Sequence, residues 1–172
     1  DLVSAATAAV GALKGPLHGG APGPVLEMLQ AVHDSGDPEG YVRETLSAGE
    51  RLMGFGHRVY RVRDPRADVL STAAEEFYEA SGETAFYDTV ESFEDVALDV
   101  LADHKPDRRL ATNVEFYTAA LLHGVGVPRE LFTATFAVAR AGGWMAHGLE
   151  QLADNRLVRP VSEYVGERER SW

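Results

Sequence analysis

Cysteine is absent from the 172 residues. Its absence excludes disulfides, thiolate metal sites and a cysteine nucleophile. It fits a reducing compartment, so a cytoplasmic location is the expectation. Long apolar runs are missing too: no stretch approaches the ~20 apolar residues of a membrane span, and no membrane partner is expected. Positive charge is scarce, with 16 Lys and Arg against 27 Asp and Glu and a formal net charge of −11. Nucleic-acid binding needs a positive footprint, so no nucleic-acid partner is expected. There is no HExxH or paired-histidine spacing, which leaves a metal site without support. Walker A and GxGxxG elements are lacking as well, and P-loop and Rossmann folds are excluded with them. The Ala-rich opening DLVSAATAAVGALKG has neither the basic start nor the long apolar core of a signal peptide. It carries no initiator methionine, and a fragment or processed piece is expected.

What is present is an ordinary globular balance, 45% hydrophobic and 25% charged. The chain suffices for one sizeable domain, or for a domain plus part of another. Residues 2–13 are small helix formers ended by Gly15-Pro16, and small residues on one helix predict close packing against another. PLHGGAPGP is a loop. Pro24 suits a helix start, followed by Val25, Leu26, Leu29 and Val32 at helical spacing. A short helix is predicted from Tyr41 to about Ala48. Asp64 and Pro65 form an N-cap and first position, with Val69, Leu70, Ala73, Phe77 and Ala80 as the apolar stripe. Another helix is predicted from about Thr89 to Asp103, carrying Val90, Phe93, Val96, Ala97, Val100 and Leu101. Asn113 caps one with Val114, Tyr117, Leu121 and Val125 on a face. The stretch after Pro128 reads as one or two helices meeting at Gly142-Gly143, and the tail from Arg156 as extended. Seven or eight helical segments and no alternating strand series make the fold class all-α with a short extended tail.

His18 lies in a Gly/Pro loop after a helix, and His57 lies in the Gly-rich loop GFGHRVYR. A lone loop histidine is usually just solvated. Two glycine-flanked ones shift the balance, because glycine lets backbone and ligand approach closely. Glu115 falls in the first turn of a helix, where a carboxylate is usually a dipole partner. His33 and His104 fall at helix ends, and His123 and His147 inside helices, where packing is the simpler role. Arg58, Arg61, Arg63 and Arg66 form a cationic run. It is either a solvated face or an anion site, since the guanidinium fork holds carboxylates and phosphates bidentately. Arg140 and Arg159 are uninformative by themselves.

Five motifs in order, GALKGPLHGGA, GFGHRVYRVRDPRA, NVEFYTAALLHGVGVP, LFTATFAVARAGGWMAHGLEQ and NRLVRPVSEYVG, resemble the citrate synthase family. The resemblance spans the whole chain and matches the C-terminal part of a family member. It implies a two-domain, all-α homodimer in which a small domain closes over a cleft in a large one. Residues 1–20 and 119–172 would belong to the large domain and 21–118 to the small one. The family's N-terminal helical region, with a further substrate-binding histidine, would lie outside this sequence, and the 172 residues alone would be inactive. The implied reaction, a step of the tricarboxylic acid cycle, condenses oxaloacetate with acetyl-CoA and hydrolyses the thioester to citrate and CoA. It needs no metal, and no cofactor beyond the CoA thioester that is itself substrate. Alternatives are a 2-methylcitrate synthase using propionyl-CoA, or a catalytically silent binding protein.

The family roles carry over residue by residue. His18 would donate to the thioester oxygen as it becomes an enolate. His57 would polarise the oxaloacetate carbonyl, and Glu115 would remove the acetyl methyl proton. Arg66 and Arg140 would clamp oxaloacetate carboxylates, Arg159 would reach in from the partner subunit, and Arg61 would contact CoA phosphate. Two departures mark a divergent branch. Pro22-Gly23 stands where many relatives have Asn-Glu, and Glu115 stands in place of the family's usual aspartate.

Overall fold

Seven α-helices and one 3-10 turn form the regular structure of the computed structural model, which describes residues 1–57, 59 and 62–171. The helices are α1 (Leu2–Leu13), α2 (Pro22–Ser35), α3 (Pro38–Ser47), α4 (Pro65–Ser81), α5 (Thr84–His104), α6 (Val114–Gly124) and α7 (Phe132–Ala153), with the 3-10 turn at Arg129–Leu131. The described residues contain no strand, only an isolated antiparallel bridge between Phe55 and Thr112. Among the described residues no helix is long and apolar enough to cross a membrane.

Side-chain caps decide where several helices begin. Asp37 accepts from the Gly40 amide at 2.9 Å, Asp64 from Arg66 at 3.0 Å and Asn113 from Glu115 at 3.0 Å. Each satisfies an amide that the first helical turn leaves without a carbonyl. The Asp37 cap starts α3 at Pro38, three residues ahead of the predicted Tyr41. Helix α2 likewise opens at Pro22 rather than Pro24, because first-turn amides are not needed inside the helix and both prolines are tolerated there. Helix α5 opens at Thr84, ahead of Thr89, since Phe86 and Tyr87 add inward positions to its first turns.

Helix α7 runs unbroken through Gly142-Gly143. Two glycines cost about 1 kcal/mol each in helix propensity, and the intact turns on both sides together with α1 packed alongside carry the helix through them. The small residues do mark a close approach: a Cβ on Gly148 would lie 2.6 Å from Leu2 Cδ2.

The core is built from α2 to α6. Helix α6 packs mainly on α4 and then α2, while α5 packs on α3, α2 and α4. Phe93, Phe116, Leu29, Val25, Val32, Val42 and Val90 are fully enclosed. The inward face of α4 differs from the predicted stripe. Ala67, Ala74 and Tyr78 are buried with Leu70 and Phe77 beside them, whereas Val69 is 70% exposed and Ala80 is also exposed. Both sets have helical periodicity, and the larger Tyr78 ring, whose hydroxyl donates to the Ala120 carbonyl at 3.0 Å, turns its own row inward. On α6 the inward face is Phe116, Tyr117, Ala119 and Ala120. Val125, predicted on that helix's apolar face, lies past its end and is 49% exposed.

Candidate active site

The glycines around Phe55 have a steric reason. Gly54 has φ +86°, and a Cβ there would stand 2.9 Å from the Phe116 ring. Any L side chain would be both strained and blocked. Around Phe55 the chain runs beside residues 111–113. The Gly56 amide donates to the Ala111 carbonyl at 2.7 Å, and the Asn113 amide donates to Gly54 at 2.9 Å. Further along, the Asp64 amide donates to the Thr112 carbonyl at 3.1 Å. Both ends of the loop carrying His57 are therefore tied to the residues that lead into α6.

Asn113 makes the tie specific. Its Oδ1 caps Glu115, and its Nδ2 donates to the Gly56 carbonyl at 3.0 Å. One side chain thus connects the residue before His57 to the first turn containing Glu115. His57 Nδ1 accepts from the Val59 amide at 3.1 Å. In a neutral ring the proton then resides on Nε2.

Glu115 has an unusual setting for a first-turn carboxylate. Its Oε2 is buried and has no hydrogen-bond partner among the described residues. Burial pushes its carboxyl up to about 7, while the charges of Arg66 and Arg140 pull it down and Asp64 pushes it up further. Asp64 behaves oppositely: hydrogen bonds from Arg66 hold it below the usual carboxylate range despite nearly complete burial. Arg66 donates to Asp64 through Nε at 3.0 Å and Nη2 at 2.7 Å, a fork that fixes the plane of the guanidinium.

His18 occupies the turn between α1 and α2. Arg140 Nη1 stands 3.5 Å from its Nε2, the outer limit of a hydrogen bond. Arginine only donates, so this contact places a lone pair on Nε2 and the neutral ring's proton on Nδ1. Phe136, one turn before Arg140 on α7, meets the His18 ring edge-on at 5.9 Å and lies under the Arg140 guanidinium at 4.6 Å. The one sequence signal for Phe136 is its i, i+4 spacing from Arg140.

The structure thus joins His18 to Arg140, and Arg140 and Arg66 to Glu115 through their fields, with the His57 loop tied to the Glu115 turn. Arg159 is exposed on the tail after α7. Arg58 and Arg61 fall outside the described residues. Val62, Leu98, Ala102, Arg108, Arg109 and Leu110 line a hollow of about 360 Å³. The other histidines lie elsewhere. His33 bonds Thr89 at 2.8 Å, and His123 packs on Phe86 at 4.9 Å. His147, predicted to be packed, instead sits on the exposed face of α7 and pairs with Glu150. No group of three or more potential metal ligands occurs among the described residues.

Residues 1–161 match the family model for the citrate synthase C-terminal domain. Citrate synthase of Haloferax volcanii is 46% identical over 170 residues, which is 98% of this chain and 43% of that protein. Citrate synthase 2 of Bacillus subtilis is 43% identical over 166 residues, 96% of this chain and 43% of that one. The citrate synthase of Thermoplasma acidophilum, solved with carboxymethyl coenzyme A and oxaloacetate, superposes with TM-score 0.85 at 34% identity, covering 100% of this chain and 45% of that one. The chain spans less than half the length of each of these relatives.

Proposed function

The chain belongs to the citrate synthase family, and from that premise we propose that the intact protein condenses acetyl-CoA with oxaloacetate and hydrolyses the thioester to citrate and CoA. The observation that carries this is the partly buried Glu115 carboxylate, with its Oε2 buried and unpartnered among the described residues and its proton affinity raised to about 7. Such a group is poised to take a proton near neutral pH.

A thioester methyl proton is only weakly acidic, so removing it requires a donor for the forming enolate oxygen. His18, with Nε2 turned to Arg140, supplies that donor through Nδ1–H. The enolate carbon then bonds to the oxaloacetate ketone carbon. His57, protonated on Nε2, polarises that ketone and passes a proton to the oxygen as it becomes a hydroxyl. Water cleaves the thioester and releases CoA. Arg66, its plane fixed by Asp64, and Arg140, set on Phe136, bind the oxaloacetate carboxylates. Arg159 completes the clamp from a second copy in a homodimer. Arg61 meets CoA phosphate, and the hollow lined by Arg108, Arg109 and apolar side chains suits the phosphorylated, ring-bearing end of the thioester. Residues 21–118 act as the small domain that closes on a large domain containing 1–20 and 119–172. The thioester is substrate, and the chemistry calls on no metal.

The test is release of free thiol by the intact protein with oxaloacetate and either acetyl-CoA or propionyl-CoA, with the product identified. Faster turnover of acetyl-CoA to citrate is expected. Preference for propionyl-CoA would assign a 2-methylcitrate synthase, and binding of both substrates without turnover would leave a silent binding protein.

A further inference from the structure

Behind the site lies a buried carboxylate that the proposed chemistry does not use. Glu94, midway along α5, is 6% exposed. Its Oε1 accepts from Arg63 Nη1, and its Oε2 accepts from the Tyr117 hydroxyl. Arg63 also donates through Nε to Asp68 at 2.5 Å, and its guanidinium lies 5.5 Å from the centroid of the Tyr117 ring. Burial and the bond to Glu94 hold the Tyr117 hydroxyl far above its ordinary range, so it stays protonated and donates.

The positions of the two donors matter. Arg63 immediately precedes Asp64, the residue that forks Arg66. Tyr117 follows Glu115 by two residues on α6. One carboxylate from a third helix therefore bonds at once to the segment that presents Arg66 and to the helix that presents Glu115. The same two segments touch again where the Asp64 amide donates to Thr112. A half-buried ion pair is a weak source of stability, because the cost of desolvating its charges offsets much of their attraction. Its directional bonds do something packing cannot: they fix the register of two elements. Both bonds are made to the same side chain, so neither element can shift along the other without breaking one of them.

We propose that Glu94 is a positioning residue that sets the spacing between Arg66 and Glu115, and through it the placement of oxaloacetate relative to the base. The role rests on the reaction proposed above. Glu94→Gln keeps the shape but turns an amide donor toward one of its two donors. In the intact protein it lowers kcat roughly ten- to a hundredfold, the scale of a misplacement of about 1 Å, and raises the KM for oxaloacetate. Tyr117→Phe keeps the ring and the Arg63–Glu94 pair, breaks only the link to α6, and gives a smaller effect in the same direction. A group that only holds the fold together would lower the melting temperature in both variants and leave kcat and KM within twofold, and that result overturns the proposal.

A second measurement does not depend on turnover. The carboxyl carbon of Glu115 is followed by NMR through a pH titration in the unmodified protein and in both variants. Loosening of the α6 start admits water, and the midpoint falls from about 7 toward that of an ordinary glutamate. An unchanged midpoint in folded variants refutes the positioning role even if the unmodified protein turns over neither acyl-CoA. Absence of turnover with a shifted midpoint refutes the reaction instead and leaves the coupling standing.

Discussion

Helices α5 and α7 have 21 and 22 residues, yet they occupy unlike surroundings. Helix α5 buries Tyr87, Val90, Phe93, Ala97, Val100 and Leu101 together with Glu94, whereas α7 buries Phe132 alone. Its Val138 is 76% exposed and its Leu149 is 58% exposed. Apolar content does not explain the contrast, since the α7 sequence FTATFAVARAGGWMAHGLEQLA is at least as rich. Neighbours explain it: α5 is enclosed by α2, α3 and α4, while α7 has α1 along one side and touches α2 and the 3-10 turn. The candidate site straddles the boundary between these regions. Glu115, Arg66 and the His57 loop are anchored on the enclosed body, and His18 and Arg140 on the open pair. Glu115 is held by a packed core, whereas the His18–Arg140 contact has few neighbours among the described residues.

The largest effect should come from the enclosed side of the site. Glu115→Gln keeps shape and removes basicity, so kcat should fall by roughly 10²–10⁴ while KM values change much less. Near-normal turnover would mean that another group is the base. The pH dependence follows from a carboxyl raised to about 7. Deprotonation activates the base, so the rate should climb as pH passes through about 7. Stability runs the other way. The folded state holds this proton more tightly than the unfolded chain, so the contribution is complete below the ordinary glutamate range and lost as pH rises through about 7. Denaturant titrations of the unmodified protein and Glu115→Gln at several pH values check this, because only the former should show that pH-dependent loss.

Next comes the core itself. Phe93, fully buried against Phe55 and Phe116, should cost about 3–5 kcal/mol when truncated to Ala. Equilibrium denaturation measures it, and a loss under 1 kcal/mol would break the contrast between α5 and α7. Asn113→Ala should be milder, about 1–2 kcal/mol for the lost cap, with reduced kcat because the Gly56 tie goes with it. If kcat is unchanged in the folded variant, the tie has no functional part. Smallest of all, Val138→Ser on α7 should change stability by no more than about 0.5 kcal/mol. A loss above 1 kcal/mol in the intact protein would show that another surface covers this face.

Much of this was decided locally and could be read from the sequence. Asp64-Pro65 and Asn113 begin their helices where cap chemistry demands, and Gly54 stands where a positive φ is required. The motifs place His18, His57, Glu115, Arg66 and Arg140 in their family order, because order and spacing are properties of the chain. What the sequence could not decide depends on neighbours distant along it. Which of two apolar rows on α4 turns inward was settled by the Tyr78 ring meeting α6. Whether two glycines break α7 depended on its surroundings as well as on local propensity. Glu115 could be read as an ordinary first-turn carboxylate, since only the fold around it removes water and leaves Oε2 unpartnered among the described residues. Glu94 looked like one acid among the many on α5. Its place between Arg63, 31 residues away, and Tyr117, 23 residues away, exists only once the segment leading into α4 has packed with α5 and α6. Local bonding fixes helices and turns through neighbouring residues, while burial and the pairing of charges are collective properties of the packed chain.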